Sequence, residues 1–307
     1  MTPPMLLLRT LLHLAALLAV PPLLLGVVNR TKSIFAGRAG PPLLQPYFDL
    51  AKLLRKGAVY SRTTTWVFRA GPIVGLAAVA SAGLLLSMGG APAALSFAGD
   101  FVLFAYLLGL ARFFTALAAL DTGSAFEGMG AAREVTFASL AEPALFLCLL
   151  VLARATGTLS LSGMLGPALP GAWGTAAPAL LLAAISLFVI ALAENSRIPV
   201  DDPNTHLELT MIHEVMVLDH GGPDLAFILY GAALKLFLFG AILSRLVLGR
   251  GDGALAAEAL FFLGVAVFAV AVGVVESVMA RLRIVRVPQL LVGASVLSVF
   301  ALVLLLR

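Results

Sequence analysis

The chain has 307 residues, 61% of them hydrophobic and only 12% charged, with a formal net charge of +4. A soluble domain carries roughly a quarter charged residues, and a chain this apolar has too little polar surface to face water, so lipid is its expected solvent. The basic residues fall in loops between apolar runs, which argues against a nucleic-acid footprint, and the single Cys148 excludes a disulfide framework or an all-cysteine iron–sulfur site within this chain.

A span needs about 20 mostly apolar residues to cross the hydrocarbon core. In chain order the sequence predicts about eight: 5–28, 66–87, 97–120, 136–156, 175–194, 224–248, 257–276 and 287–306. The expected fold is an all-α, polytopic integral membrane protein forming a single membrane domain over residues 1–307. The first run, after Arg9, is longer than a signal-peptide core and lacks a small-residue cleavage site, so it is expected to be a retained helix.

After the turn Gly40-Pro41-Pro42, the stretch LLQPYFDLAKLLRKG sets Leu43, Leu44, Tyr47, Phe48, Leu50, Leu53 and Leu54 broadly on one helical stripe. Lys52, Arg55 and Lys56 lie towards the other side, predicting one amphipathic surface helix in the first cytoplasmic loop. That loop carries seven basic residues against the single acid Asp49. The third loop, Asp121 to Val135, holds Arg133; the fifth holds Arg197 and many acids; the seventh holds Arg281, Arg283 and Arg286. The second and fourth carry no charge, and the sixth only Arg250 and Asp252. Positive loops stay inside, so the odd loops are expected in the cytoplasm and both termini in the periplasm of a cell inner membrane.

An ionised side chain near the bilayer centre costs about 2.5–3.5 kcal/mol on insertion scales. Arg69, Asp100, Arg112, Glu142, Glu194, Lys235, Arg245 and Glu276 all fall within the predicted spans. Arg69, Asp100, Glu194, Arg245 and Glu276 sit near span ends, where a side chain reaches a headgroup. Glu142 (in ASLAEPALF) and Lys235 (in GAALKLFLF) lie deeper, where a proton or ion path and a purely structural ion pair both remain open. Pro143 also frees a backbone carbonyl beside Glu142.

The richest segment is ENSRIPVDDPNTHLELTMIHEVMVLDHGGPD, with Asp201, Asp202, Glu208, Glu214, Asp219 and Asp224 among His206, His213 and His220. Asp202-Pro203 and Gly221-Gly222-Pro223 bracket any helix here, and His213-Glu214 is followed by Val217 where a zinc-protease motif needs histidine. No metal site is expected. The segment reads instead as a cytoplasm-facing pool of protonatable groups at a membrane entrance or as a plain solvated acidic loop. No glycine-rich nucleotide motif, nucleophile elbow or cysteine cluster occurs, so no cofactor and no redox chemistry are expected in this chain alone.

The stretches AGRAGPPLLQPYFDLAKLLRKG, GAAREVTFASLAEP, ENSRIPVDDPNTHLELTMIHEVMVLDHGGPDLA and ESVMARLR together resemble one family over nearly the whole length. It is the membrane subunit shared by respiratory complex I (its subunit 1) and energy-converting nickel–iron hydrogenases, here most similar to the formate hydrogenlyase subunit 4 and hydrogenase-4 component C branch. The resemblance implies a non-catalytic anchor. It would dock hydrogenase-like large and small subunits carrying iron–sulfur and nickel–iron centres, and abut antiporter-like membrane subunits within the lipid bilayer, with no nucleic-acid partner. Glu134 and Glu142 take the family's GAxRE and EP positions, Asp201 the aspartate of its PFD segment, and Glu208 and Glu214 later acids of the same loop. The expected proton path is Glu134, Glu142, Glu194, Asp201, Asp202, Glu208, Glu214, Lys235 and Glu276. The expected docking set for the soluble arm is Arg38, Gln45, Tyr47, Asp49, Lys52, Arg133, His206, His213, Arg281 and Arg283. Asn204 and His206 stand where complex I usually has glutamates, which favours the hydrogenase branch. The alternatives are a quinone-site subunit of an NADH-quinone oxidoreductase-like complex and a secondary ion transporter.

Overall fold

A computed structural model describes residues 3–89, 93–201, 211–249 and 253–306, and these contain helices and turns but no strand. Eight helices are long and apolar enough to cross a membrane: α1 (Pro3–Phe35), α3 (Trp66–Gly83), α4 (Asp100–Asp121), α5 (Ala125–Thr156), α7 (Leu169–Glu194), α8 (Gly222–Leu248), α9 (Ala254–Val278) and α10 (Val287–Leu304). The short helices α2 (Gln45–Leu54) and α6 (Leu161–Met164) lie in the connections. The chain is a multi-pass membrane protein. Eight crossings bring both ends to one face, the termini face; α2 and the α7–α8 segment lie on the opposite one, the loop face.

The spans are apolar around most of their circumference, as helices must be when lipid covers one side and protein the other. α8 is the axis of the fold. Leu236, Phe237, Leu238, Phe239 and Ile242 are completely buried, with α1, α3, α7 and α9 packed around the helix. A single buried apolar cluster runs from Leu17 and Val28 of α1 through α8 to Phe261 of α9 and Ala294 of α10.

Several boundaries differ from expectation. α5 begins at Ala125, well before residue 136, so the third loop shrinks to residues 122–124 and Arg133 stands on a helix. The polar residues Glu127, Arg133 and Glu134 did not end the helix because their partners lie inside the protein. α1 runs on to Phe35 through Pro21 and Pro22. Pro22 cannot donate to the carbonyl four residues back, that of Leu18, and the Tyr230 hydroxyl takes its place at 2.7 Å. α7 is kinked at Ala176, two residues before Pro178, which leaves its straight part close to the span predicted at 175–194.

The amphipathic helix is present as α2. None of its residues is buried, Phe48 and Leu54 are exposed, and Tyr47 fastens it by donating to the Ala19 carbonyl of α1. After α7 the chain turns sharply at Ser196, whose φ of 51° lies in the left-handed region. The returning segment then lies flush on α5 at Gly130. There a Cβ atom would collide with the Val215 side chain and stand 3.0 Å from the Ile212 carbonyl oxygen.

Candidate functional site

Five ionisable side chains from four helices converge among the spans. Glu134 and Glu142 are eight residues apart on α5, a little over two turns, and so share a face. Arg112 comes from the middle of α4, Lys235 from the middle of α8, and Glu194 is the last residue of α7. The planar guanidinium of Arg112 reaches all three acids. Its Nε lies 3.4 Å from Glu134 Oε1, its Nη1 2.5 Å from Glu142 Oε1, and its Nη2 bonds the Glu194 carboxylate. A forked donor with five N–H groups is the side chain suited to hold three carboxylates at once. The Lys235 ammonium approaches the same Glu194 carboxylate at 3.9 Å.

Burial grades across the cluster. The Glu194 side chain is 2% exposed, that of Arg112 8%, and that of Glu142 45%. Two cations therefore face three carboxylates, of which Glu142 lies nearest the surface. A cavity of about 70 Å3 touches Arg112, Glu134, Glu194, His213 and Lys235 among mostly apolar neighbours, with room for several waters beside the charged groups. On the far side of Arg112 a second void of about 20 Å3 runs from Glu134 and Glu194 to Asp201 and Ile212, space for a single water. Arg112, Glu134 and Glu194 thus line two small voids.

The α7–α8 segment closes this site from the loop face. Asp201, 2% exposed, accepts from the backbone N–H groups of Ile212 (3.2 Å) and His213 (3.0 Å) and from the Arg281 guanidinium (2.7 Å). It therefore ties the start of the segment to its return and both to the α9–α10 connection. Arg133 adds a bond from α5 to the Met211 carbonyl at 2.8 Å. His213 lines the cavity, and burial pushes its pKa down to about 4, so it is neutral near pH 7. His220 stacks on Phe68 with ring centres 3.9 Å apart, and burial lowers its pKa as well.

Of the residues expected on the proton path, Glu134, Glu142, Glu194 and Lys235 meet at Arg112, and Asp201 lies across the second void. Glu276 stands apart. Its fully buried side chain is held by Lys32 at 2.8 Å and Arg197 at 3.2 Å, fastening α1 and the turn after α7 to α9. Glu214 opens a short 3-10 turn, Glu214–Val217. Asp202, His206 and Glu208 lie outside the described residues. Among the residues expected to dock a soluble arm, Arg38, Asp49, Lys52 and Arg283 are exposed on the loop face. Gln45 donates to Asp49 at 2.8 Å, while Tyr47, Arg133 and Arg281 make the intramolecular bonds just described and His213 faces the cavity. Sequence reasoning left Arg112 out of the path, although an arginine halfway between Asp100 and Asp121 was the available signal. It also missed Lys32 and Arg197 as partners of Glu276.

Residues 8–306 match the family described as NADH dehydrogenase. The chain belongs to that family. Among other members of the NADH dehydrogenase family and related proteins, it is 30% identical over 289 residues to formate hydrogenlyase subunit 4 of Escherichia coli, covering 91% of this chain and 92% of that one. It is 32% identical over 238 residues to hydrogenase-4 component C of the same organism, covering 76% and 73%. Its fold also matches a chain in the structure of the membrane-bound sulfane sulfur reductase, an archaeal respiratory membrane complex. The TM-score is 0.83 over 98% of this chain and 99% of that one, at 21% identity, a likeness of fold. This NADH dehydrogenase family member accordingly groups with membrane subunits of oxidoreductase complexes.

Proposed function

We propose that this chain is the membrane anchor and proton-coupling subunit of a complex I-like energy-converting hydrogenase of the formate hydrogenlyase or hydrogenase-4 type. The observation that carries the reading is the Arg112 cluster: three acids and two cations from α4, α5, α7 and α8, lining two small voids beneath a loop. The similarity to formate hydrogenlyase subunit 4 and hydrogenase-4 component C supports the branch. Iron–sulfur and nickel–iron centres would belong to hydrogenase-like large and small subunits docked on the loop face, with antiporter-like subunits alongside in the membrane. The loop face would be cytoplasmic and both termini periplasmic, in the cell inner membrane.

The proposed coupling uses this geometry. A redox-linked change in the docked arm displaces the α7–α8 segment, which Asp201 holds through Ile212, His213 and Arg281. Movement of Asp201 alters the void against Arg112 and the balance of the guanidinium among its three carboxylates. With one negative charge in excess, the cluster takes up a proton from the loop face when Arg112 leaves a carboxylate and gives it up when Arg112 returns. Glu134→Gln in the assembled complex tests this. Electron transfer and assembly are expected to persist while coupled proton or sodium translocation falls at least about tenfold, a barrier change of about 1.4 kcal/mol. Unchanged translocation overturns the reading.

A further inference from the structure

Glu127 lies two turns before Glu134 on α5, about 10 Å along the axis and on the same stripe. It stands at the loop-face end of the helix, beside the exposed Asp219, yet is itself only 1% exposed. Its Oε1 accepts from the Asp219 backbone N–H at 3.2 Å, while Oε2 meets no hydrogen-bond donor among the described residues. A buried carboxylate with one oxygen unmatched has lone pairs open to a water or a proton. Between the two acids the stripe is dry. Gly130 lies midway, and a Cβ atom there would collide with the Val215 side chain and stand 3.0 Å from Met216 Cγ. Met216 and Val217 pack with Ala116, Ala119 and Ala131 in a buried apolar cluster, and Met216 also borders the cavity beside Arg112 and Glu134. The turn Glu214–Val217 is thus an apolar plug between an outer acid and the inner cluster. Protons travel along water or polar groups, and an apolar constriction that excludes water stops them.

We propose that Glu127 is the loop-face proton acceptor that serves the Arg112 cluster, and that Val215 and Met216 form a hydrophobic gate between the two. The inference rests on the proton-coupling reading and names its entrance, at an acid outside those expected on the path. Asp201 holds the backbone of Ile212 and His213, immediately before the plug. A displacement that disturbs Asp201 therefore lifts Val215 and Met216 from Gly130 and admits water along the stripe. A proton from loop-face water then forms an O–H bond at Glu127 Oε2. That bond breaks as the proton passes through the admitted water to an oxygen of Glu134, and Glu127 is a carboxylate again. Glycine at position 130 suits this device, because the plug seats against bare backbone when closed.

The test is Glu127→Gln in the assembled complex. The amide oxygen still accepts the Asp219 N–H and fills the same space, so a merely structural Glu127 predicts no change. The expected result is normal electron transfer with coupled translocation lowered at least about tenfold, and partial recovery in Glu127→Asp. Unchanged translocation, or an aspartate variant no better than glutamine, overturns the assignment. The gate is read at Ala131→Cys, a buried position within the plug. Its reaction with a small water-soluble thiol reagent, located by peptide mass, is expected to run at least about tenfold faster during turnover than at rest; equal rates overturn the gate. Loss of translocation in Glu134→Gln with normal translocation in Glu127→Gln overturns this inference and leaves the proton-coupling role standing. Normal translocation in Glu134→Gln overturns that role and, with it, the destination of the proton, whatever Glu127→Gln does.

Discussion

Arg112→Gln is the most informative perturbation of the cluster. Two cations against three carboxylates give the native site a formal charge of −1; removing Arg112 makes it −2, whereas Glu194→Gln makes it zero. Breaking a buried ion pair so that a charge is left unmatched costs about 3–5 kcal/mol. Glu194 and Glu134, 2% and 14% exposed, both lose their main partner, so Arg112→Gln falls in that range. Glu142 adds little to the total, because a half-exposed pair is worth about 0.2–1 kcal/mol. Glu194→Gln alone leaves a balanced set and is expected to cost on the order of 1 kcal/mol. Combined with Arg112→Gln it restores a charge of −1, so the double variant is more stable than the sum of the two losses by on the order of 2 kcal/mol. The assay is the denaturation midpoint of the purified protein in mild detergent for the wild type, the two single variants and the double. Additive losses, or an Arg112→Gln variant as stable as Glu194→Gln, would refute the view that Arg112 is the hub of one coupled network.

Three further outcomes follow from the same contacts. His213 has a folded pKa of about 4 against 6.5 when free, so as pH falls from 6.5 to 4 the unfolded chain gains a proton that the folded one refuses. Stability should drop across that window and the drop should be shallower in His213→Gln; identical pH profiles would contradict the burial of this ring. Asp121 accepts from the Thr65 backbone N–H at 2.7 Å, the Thr65 hydroxyl at 2.9 Å and the Phe68 N–H at 3.2 Å, capping α3 from the end of α4. Asp121→Ala should cost about 0.5–2 kcal/mol in thermal denaturation while leaving ion coupling intact. Gly130→Leu should push the 211–217 segment off α5, seen as faster hydrogen exchange at Ile212 and His213, and unaltered exchange would mean the close packing is unimportant.

Helices were easier to read from the sequence than the partners of their charges. Lys235 and Glu142 stood out because each interrupts a long apolar run, and the structure places both at the same cluster. Arg112 was equally visible as a charge within a predicted span. Its meaning depends on Glu142 and Glu194, which are 30 and 82 residues away. Polar residues at the start of α5 read as loop for a related reason. Arg133 and Glu134 resemble solvent-facing groups until the Met211 carbonyl and Arg112 are folded against them. Glu276 shows the converse. Its place at a span end was clear, while its partners Lys32 and Arg197 come from distant parts of the chain. The docking set was assigned through resemblance, and local geometry has since engaged Tyr47, Arg133 and Arg281 within the protein.

The segment that folds back after Glu194 also sets the electrical thickness of the protein. Its described residues, 195–201 and 211–221, bring polar groups onto α5 at Gly130 and to the cavity beside Lys235, so the low-dielectric layer is thinner here than along the neighbouring spans. A transmembrane voltage drops mostly across the insulator. On the proposed path an ion at Glu194 would have paid little of the electrical work, and the step beyond Arg112 would carry most of the roughly 2.3 kcal/mol per charge that each 100 mV supplies.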